Sequence, residues 1–114
     1  MAYEYNFPDH IKGDTFNGVQ FEVLVNTIAL NLTGASIKMQ MRYTPTSVSV
    51  KEFNTTSGIT ITDATAGKFK INKQIIDIAF KKYFYDIEIT LQTGEVYTYI
   101  KGTWNILADI THLG

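Results

Sequence analysis

The chain contains no cysteine, and it has only two histidines among its 114 residues. Without cysteine there is no disulfide framework, no thiolate nucleophile and no cysteine-based zinc site. His10 and His112 lie near opposite ends of the sequence, and neither has a second ligand at metal-like spacing. No Gly-x-Ser-x-Gly pattern is present, so a serine triad also lacks support. The sequence therefore predicts no catalytic residues, no metal site and no cofactor.

A large charge of one sign and a long hydrophobic run are also missing. Ten Lys and Arg residues balance eleven Asp and Glu residues, so the net charge of -1 creates no field that attracts phosphate backbones or anionic lipids. No segment approaches the roughly 18 consecutive apolar residues that a membrane span requires. The first residues resemble no signal peptide. We expect no nucleic-acid partner, no membrane contact and synthesis in a cytoplasm.

Two pairs of aspartates, Asp9 with Asp14 and Asp63 with Asp77, are the candidates for paired acid–base carboxylates. Turn positions are favoured for them, because aspartate side chains accept hydrogen bonds from nearby backbone N–H groups. Structural roles are therefore the preferred interpretation. A loop calcium site has no EF-hand-like spacing to support it.

Alternation of apolar and polar residues dominates the rest of the chain and predicts β-strands. The clearest apolar faces are formed by Val19, Phe21, Val23 and Val25, by Ile37, Met39, Met41 and Tyr43, and by Tyr83, Tyr85, Ile87, Ile89 and Leu91. The last strand is predicted to carry Val96, Thr98, Ile100, Gly102, Trp104 and Ile106 on one face and Tyr97, Tyr99, Lys101 and Thr103 on the other. Gln92-Thr93-Gly94-Glu95 predicts a hairpin between the last two strands.

Weaker patterns fill the remaining positions. Val48 and Val50 predict a short strand with Phe53 out of phase, whereas Ile59 with Ile61 and Phe69 with Ile71 predict two more strands around a turn at residues 63–67. Residues 72–82 predict a helical turn between strands rather than a long helix. About seven or eight strands at spacings near ten residues indicate a single domain over residues 1–114, folded as an antiparallel β-sandwich.

The order of several short motifs carries a family resemblance. These motifs are Gly13-Asp14-Thr15, Leu32-Thr33-Gly34-Ala35, Ile59-Thr60-Ile61-Thr62-Asp63 with Gly67-Lys68-Phe69, Tyr83-Phe84-Tyr85-Asp86-Ile87-Glu88-Ile89, and Gly102-Thr103-Trp104-Asn105-Ile106. In this order the chain resembles the N-terminal domain of phage baseplate upper proteins, an immunoglobulin-like β-sandwich. The resemblance spans nearly the whole chain and implies an immunoglobulin-like fold for it.

The resemblance also implies a function. It predicts a non-enzymatic structural protein of a bacteriophage virion that acts through protein–protein assembly, as a baseplate or tail, neck, head-decoration or fibre-adaptor subunit. The expected partners are other virion proteins, with a homo-oligomer or repeated copies in the particle. The expected location is the virion, after synthesis in the host cytoplasm.

Five aromatic residues are the candidates for the partner interface. Tyr97 and Tyr99 share one strand face, and Tyr3, Tyr5 and Phe7 alternate near the N-terminus. Either these aromatic residues are covered within the fold, or they form an exposed face that docks a partner subunit. A carbohydrate-binding module that uses Tyr97, Tyr99 and a loop carboxylate is the alternative function. Residues 1–10 are predicted to add a strand, either to a neighbouring molecule or to the chain's own sheet.

Overall fold

The structure, a computed structural model, describes residues 3–108, and within this range every regular element is a β-strand. Thirteen strands are present, and seven of them have four residues or more. Their bounds are β1 (Tyr3–Glu4), β2 (His10–Ile11), β3 (Thr15–Phe16), β4 (Val19–Glu22), β5 (Leu24–Val25), β6 (Ile28–Ala29), β7 (Ser36–Arg42), β8 (Lys51–Asn54), β9 (Ile59–Asp63), β10 (Lys68–Ile71), β11 (Gln74–Ile75), β12 (Lys82–Thr90) and β13 (Val96–Leu107). The predicted all-β class is confirmed.

The strands form two main sheets. The larger sheet has the order β1-β13-β12-β7-β8, with β2 also paired to β13, and the smaller sheet has the order β4-β10-β9. The ribbons β3–β11 and β5–β6 complete the described part of the chain. The expectation of purely antiparallel pairing is wrong at β13, because β1 and β2 both run parallel to it. Parallel neighbours need a long connection, and nearly the whole chain lies between β2 and β13.

Side chains from both main sheets form one hydrophobic core. Met39 of β7, Ile87 of β12 and Phe69 of β10 are all fully buried within it. No polar or charged residue in the described range is buried. Because apolar burial is the dominant favourable term in folding, this shared core is what holds the two sheets together.

The alternation in β7 and β12 is confirmed. Buried residues of these strands are Ile37, Met39 and Met41 on β7 and Tyr83, Tyr85, Ile87 and Ile89 on β12. The pattern does not extend to Tyr43, which is exposed, because β7 ends at Arg42. The two strands pair along seven residues in register, so their buried faces coincide.

An aromatic cluster fixes the N-terminal segment over the larger sheet. The rings of Phe7 and Trp104 stack with their centroids 4.4 Å apart. Tyr85 meets the Phe7 ring edge-on at 5.0 Å, and Phe16 packs against Trp104 at 4.9 Å. Aromatic pairs of this kind contribute about 0.5–1.5 kcal/mol beyond their buried area. The cluster therefore ties the segment to the core between its two short strands.

Gly102 provides the space in which the N-terminal segment crosses β13. A Cβ atom at Gly102 would lie 1.8 Å from the carbonyl oxygen of Tyr5, so only glycine fits there. The Tyr85 hydroxyl donates to that same carbonyl, and the Tyr5 N–H donates to the carbonyl of Lys101 at 2.9 Å. Of the two pairings predicted for the N-terminal segment, the described residues pair with their own sheet.

The segment predicted to contain a helical turn, residues 72–82, contains the short strand β11 and bends but no helical turn. Its short strand β11 pairs with β3, and Gly13 donates its N–H to the carbonyl of Ile76 at 2.7 Å. Ile76 is buried whereas Ile75 is exposed, so the segment follows the alternation of a strand and the helical prediction is wrong. Pairing with β3 gives hydrogen-bond partners to backbone N–H and C=O groups that would have bonded to one another within a helix.

The weak strand near Phe53 is shifted in phase. It runs from Lys51 to Asn54 and buries Phe53, while Val48 and Val50 precede it and are exposed. The short strand predicted at Val48 and Val50 therefore lies further along the chain, and the two valines are outside it. Phe53 pairs with Met39 across β7 and β8. This contact is larger than one that either valine could make, and it fixes the register of the two strands.

The first predicted long strand divides into β4 and a separate hairpin. β5 and β6 are joined by Asn26 and Thr27, which have φ values of 52° and 67°, as expected for a two-residue turn with both central residues left-handed. Val25, predicted to lie inward, is exposed on this hairpin, as are Leu24 and Ile28. The predicted hairpin between β12 and β13 is confirmed, with Gly94 at a φ of 94°.

Candidate functional site

A β-bulge changes the face on which the two candidate tyrosines of β13 lie. Ile87 pairs with Ile100 and the next residue, Glu88, pairs with Thr98, so Tyr99 is an extra residue with no partner on β12. Tyr97 pairs with Ile89, and directly opposed residues share a face of the sheet. Because Ile89 is fully buried, Tyr97 lies on the core-facing side of the larger sheet. The prediction that it faces away from Ile100 is wrong, since one extra residue reverses the alternation.

A groove of about 470 Å³ lies beside this bulge. One wall is formed by Tyr3 and Tyr5 of the N-terminal segment together with Tyr99 and Ile100 of β13. The other wall is formed by residues 19–24, which include all of β4. The groove therefore runs between one edge of the larger sheet and one edge of the smaller sheet, and three of the five predicted interface residues line it.

The exposure of the predicted residues differs widely. Tyr3 is 66% exposed and Tyr97 is 46% exposed, whereas Tyr5 and Tyr99 are half-buried against the core. Phe7 is only 5% exposed, and its ring lies in the aromatic cluster with Trp104. Phe7 is thus a core residue, and its side chain offers no surface to a partner. The N-terminal segment runs from the groove into the core, which explains why its alternating aromatic residues differ in burial.

Tyr97 and Tyr99 have a specific local environment. The Tyr97 hydroxyl donates to a carboxylate oxygen of Glu95 at 3.0 Å, and this bond raises the pKa of Tyr97. Burial, and after it the charge of Glu95, raises the pKa of Tyr99. Both phenols are therefore neutral near pH 7. Their ring centroids are 5.8 Å apart, and their planes are tilted by 55°.

The β4 wall was not identified from the sequence. Gln20, Glu22 and Leu24 line the groove, and each of them is exposed. Alternation places Phe21 inward and Glu22 outward, but it gives no sign that β4 lies at the edge of a sheet. Topology alone reveals this position, because it depends on which strands pair across long stretches of chain.

Several of the titratable residues that the sequence offers for chemistry have structural partners. Asp63 accepts a hydrogen bond from the Ala66 N–H at 3.3 Å, which matches its predicted turn role. Asp77 forms an ion pair with Lys12 at 2.8 Å, and the His10 ring is hydrogen-bonded to the carbonyl oxygen of Asp14 at 2.9 Å. His112 lies outside the described residues. Within residues 3–108, no three His, Cys, Asp or Glu side chains are grouped so that they could hold a metal ion.

Comparison with known proteins gives no relative for this chain. No protein-family model matches it, and no curated protein or solved structure does so either. Among the residues that the structure describes, no helix is long and apolar enough to cross a membrane. The groove and the tyrosines beside it are thus the features on which a function can be proposed.

Proposed function

We propose that this protein is a non-enzymatic structural component of a tailed-bacteriophage particle, folded as an immunoglobulin-like β-sandwich and acting through protein–protein contacts. The support is the order of motifs that resembles the N-terminal domain of phage baseplate upper proteins. A baseplate or tail, neck, head-decoration or fibre-adaptor position fits this role. Its partners are other virion proteins, and the chain is present as a homo-oligomer or in repeated copies.

The observation that carries the proposal is the convergence of tyrosines from distant parts of the chain. Tyr3, Tyr5 and Tyr99 line one groove, and the Tyr97 ring lies beside that of Tyr99. Large aromatic side chains with a polar tip are enriched at protein interfaces, because they bury much apolar area and still satisfy a hydrogen bond. Leu24 extends the apolar surface at the opposite wall of the groove. Such a surface suits burial against another protein.

The geometry of the two β13 tyrosines favours assembly over carbohydrate binding. A flat stacking platform for a chain of sugar rings needs aromatic faces that are nearly coplanar, whereas the planes of Tyr97 and Tyr99 are tilted by 55°. The Tyr97 hydroxyl also donates its hydrogen to Glu95, so the carboxylate and the phenol are already engaged with each other. A sugar that needed the Tyr97 hydroxyl as a donor would have to compete with this bond.

The test is a double substitution, Tyr97→Ala with Tyr99→Ala. We expect self-association, or association with the particle proteins encoded beside it, to weaken at least tenfold, because the aromatic contact area is lost. Sedimentation equilibrium measures the association, and thermal unfolding checks that the chain still folds. Tyr43→Ala is the matched control, because Tyr43 is an exposed tyrosine that does not line the groove.

Two outcomes contradict the proposal. If the double variant associates as tightly as the wild type, then the groove face is not the interface. If the wild type stays monomeric, and glycans change its intrinsic fluorescence in a way that the double variant abolishes, the carbohydrate-binding alternative replaces assembly.

A further inference from the structure

The β4 strand is an open edge that borders the groove. It pairs with β10 on one side only, and within residues 3–108 no strand pairs with its other side. Six consecutive residues, 19–24, line the groove, although successive side chains of a strand point to opposite faces. A groove that contacts both sets of side chains runs along the edge of the strand. Its floor therefore includes backbone N–H and C=O groups that can pair with another strand.

The other long edges of the two sheets are better protected than β4. The β8 edge carries Lys51 and Glu52, and charged side chains discourage pairing with another strand. The β9 edge has a register shift opposite Lys68 and Phe69, and a bulge of this kind also disrupts pairing. β4 pairs with β10 in unbroken register, and it has neither lysine nor proline. Its single charge is Glu22, so of these three edges it is the most open to an added strand.

The charge of the groove indicates the chemistry of that strand. Among the described residues that line the groove, Glu22 is the single charged one and none is basic. Glu22 is in none of the ion pairs found among the described residues, although Lys68 is its cross-strand neighbour on β10. The rings of Tyr3 and Tyr99 lie in the same groove. A carboxylate without an ion-pair partner near aromatic rings favours a Lys or Arg side chain.

We propose that the groove receives an extended segment of a partner protein, which pairs with β4 as a fourth strand of the smaller sheet. Apolar side chains of this segment pack toward Phe21, and a basic side chain lies outward beside Glu22. The alternation follows from β4 itself, because Phe21 is buried and Glu22 is exposed. This inference rests on the proposed assembly role and names the chemistry of the partner.

Two synthetic heptapeptides with blocked ends test the proposal: Thr-Lys-Val-Lys-Val-Lys-Thr and the same peptide with glutamate in place of lysine. Each is mixed with the full chain. Calorimetry measures binding, and hydrogen exchange followed by mass spectrometry measures protection of the β4 backbone. We expect the lysine peptide to bind at least tenfold more tightly. We also expect at least tenfold slower exchange for those amides of residues 19–22 that face the open edge, because strand amides exchange slowly once paired.

Matched variants test the role of the charge. Glu22→Gln is expected to remove most of the tenfold preference for the lysine peptide while leaving thermal unfolding unchanged. Glu52→Gln is the control, because Glu52 is also an exposed carboxylate on an edge strand but lies away from the groove. It should leave the preference intact. Equal binding of the two peptides, or a preference that survives Glu22→Gln, would overturn the proposal.

Further outcomes separate this inference from the proposed function. Peptide binding without protection of residues 19–22 overturns strand addition, as does protection that grows with protein concentration and needs no peptide, because a second copy would then occupy the edge. In both cases the assembly role stands if Tyr97→Ala with Tyr99→Ala still weakens association. If the lysine peptide binds as expected while the wild type neither self-associates nor binds other particle proteins, the strand-addition site stands and the assembly proposal falls.

Discussion

The two halves of β13 behave differently although both continue the same alternating sequence. Residues 100–106 follow a regular ladder, and Ile100, Trp104 and Ile106 are buried at every second or fourth position. Residues 96–99 lie beyond the bulge, where Tyr97 occupies the core-facing side and is still 46% exposed. The side of the sheet on which a residue lies therefore does not decide its burial. Burial also requires that another layer covers that side.

The largest predicted contrast is between Trp104→Ala and Tyr97→Ala. Trp104 is buried between Phe7 and Phe16, so its removal leaves a cavity and should cost about 3–5 kcal/mol of unfolding free energy. Tyr97→Ala should cost less than about 0.5 kcal/mol, as for most surface positions. Urea denaturation of the two variants measures both values. Similar losses for the two would mean that the halves of β13 contribute equally to stability.

Gly102→Ala tests how closely the N-terminal segment crosses the regular half of the strand. The new methyl group would overlap the Tyr5 carbonyl, so the segment has to move away from β13. We expect a loss of about 1–3 kcal/mol, as for other overpacked sites, together with faster proteolysis between Tyr5 and Phe7. Gly94→Ala has open space around its Cβ position and controls for the loss of a glycine, although its positive φ adds some strain. Proteolysis no faster than that of the wild type would contradict the close crossing.

Alkaline pH should lower the stability of the fold through Tyr85, which lies on β12 opposite Gly102 in the regular half of β13. Burial raises the pKa of Tyr85, with smaller effects from the neighbouring Tyr5, Tyr3 and Glu4. The folded state then holds the phenolic proton more tightly than the unfolded state, whose tyrosines titrate near pH 10. The resulting stability is present below about pH 10 and is lost as the pH rises further, by up to about 1.4 kcal/mol per pH unit.

Two variants, Tyr85→Phe and Tyr97→Phe, test this pH dependence. Tyr85→Phe should flatten the fall in unfolding free energy above about pH 10, although it also removes the hydrogen bond to Tyr5 and lowers stability at neutral pH. Tyr97→Phe should flatten the slope less than Tyr85→Phe does, because Tyr97 is exposed and solvent screens its interaction with Glu95. Equal slopes in the two variants would show that Tyr85 does not carry the effect.

A small effect is also expected from deleting Tyr99. This residue has no partner on β12, and without it Thr98 and Ile100 become neighbours that still face Glu88 and Ile87. The ladder would become regular, so we expect the unfolding free energy to change by less than about 1 kcal/mol. Denaturant unfolding measures this change. A loss as large as that of Trp104→Ala would show that the bulge is needed for folding.

The sequence predicts the centre of the fold well. Alternation over β7 and β12 gives the correct inward residues, because both strands are buried on one face and flanked on both sides by other strands. The hairpin at Gly94 is also correct, since a glycine with positive φ is a local signal. Local signals of this kind need no knowledge of the rest of the chain.

Features that depend on distant pairing were predicted less well. Residues 72–82 contain apolar residues that fit helical spacing and also strand alternation, and pairing of Gln74 and Ile75 with β3 decides for a strand at those two positions. The bulge at Tyr99 leaves no mark in the sequence, because tyrosine is tolerated on either face. In the sequence, Phe7 alternates with polar residues just as Tyr3 and Tyr5 do. It lies in the core because its ring stacks on that of Trp104, a contact between distant parts of the chain. Gly102 was a usable signal, since a glycine inside a strand often marks a close backbone approach.

The parallel placement of the N-terminal segment on β13 has a mechanical consequence. A tension applied between Tyr3 and Leu107 pulls the two adjacent strands in opposite directions along their length. The force then acts as a shear between the two strands. The hydrogen bonds from the Tyr5, Phe7 and Lys12 N–H groups to β13 carry this force at the same time and do not break one after another. A chain joined in this way withstands stretching between Tyr3 and Leu107 better than one whose terminal strands separate one hydrogen bond at a time.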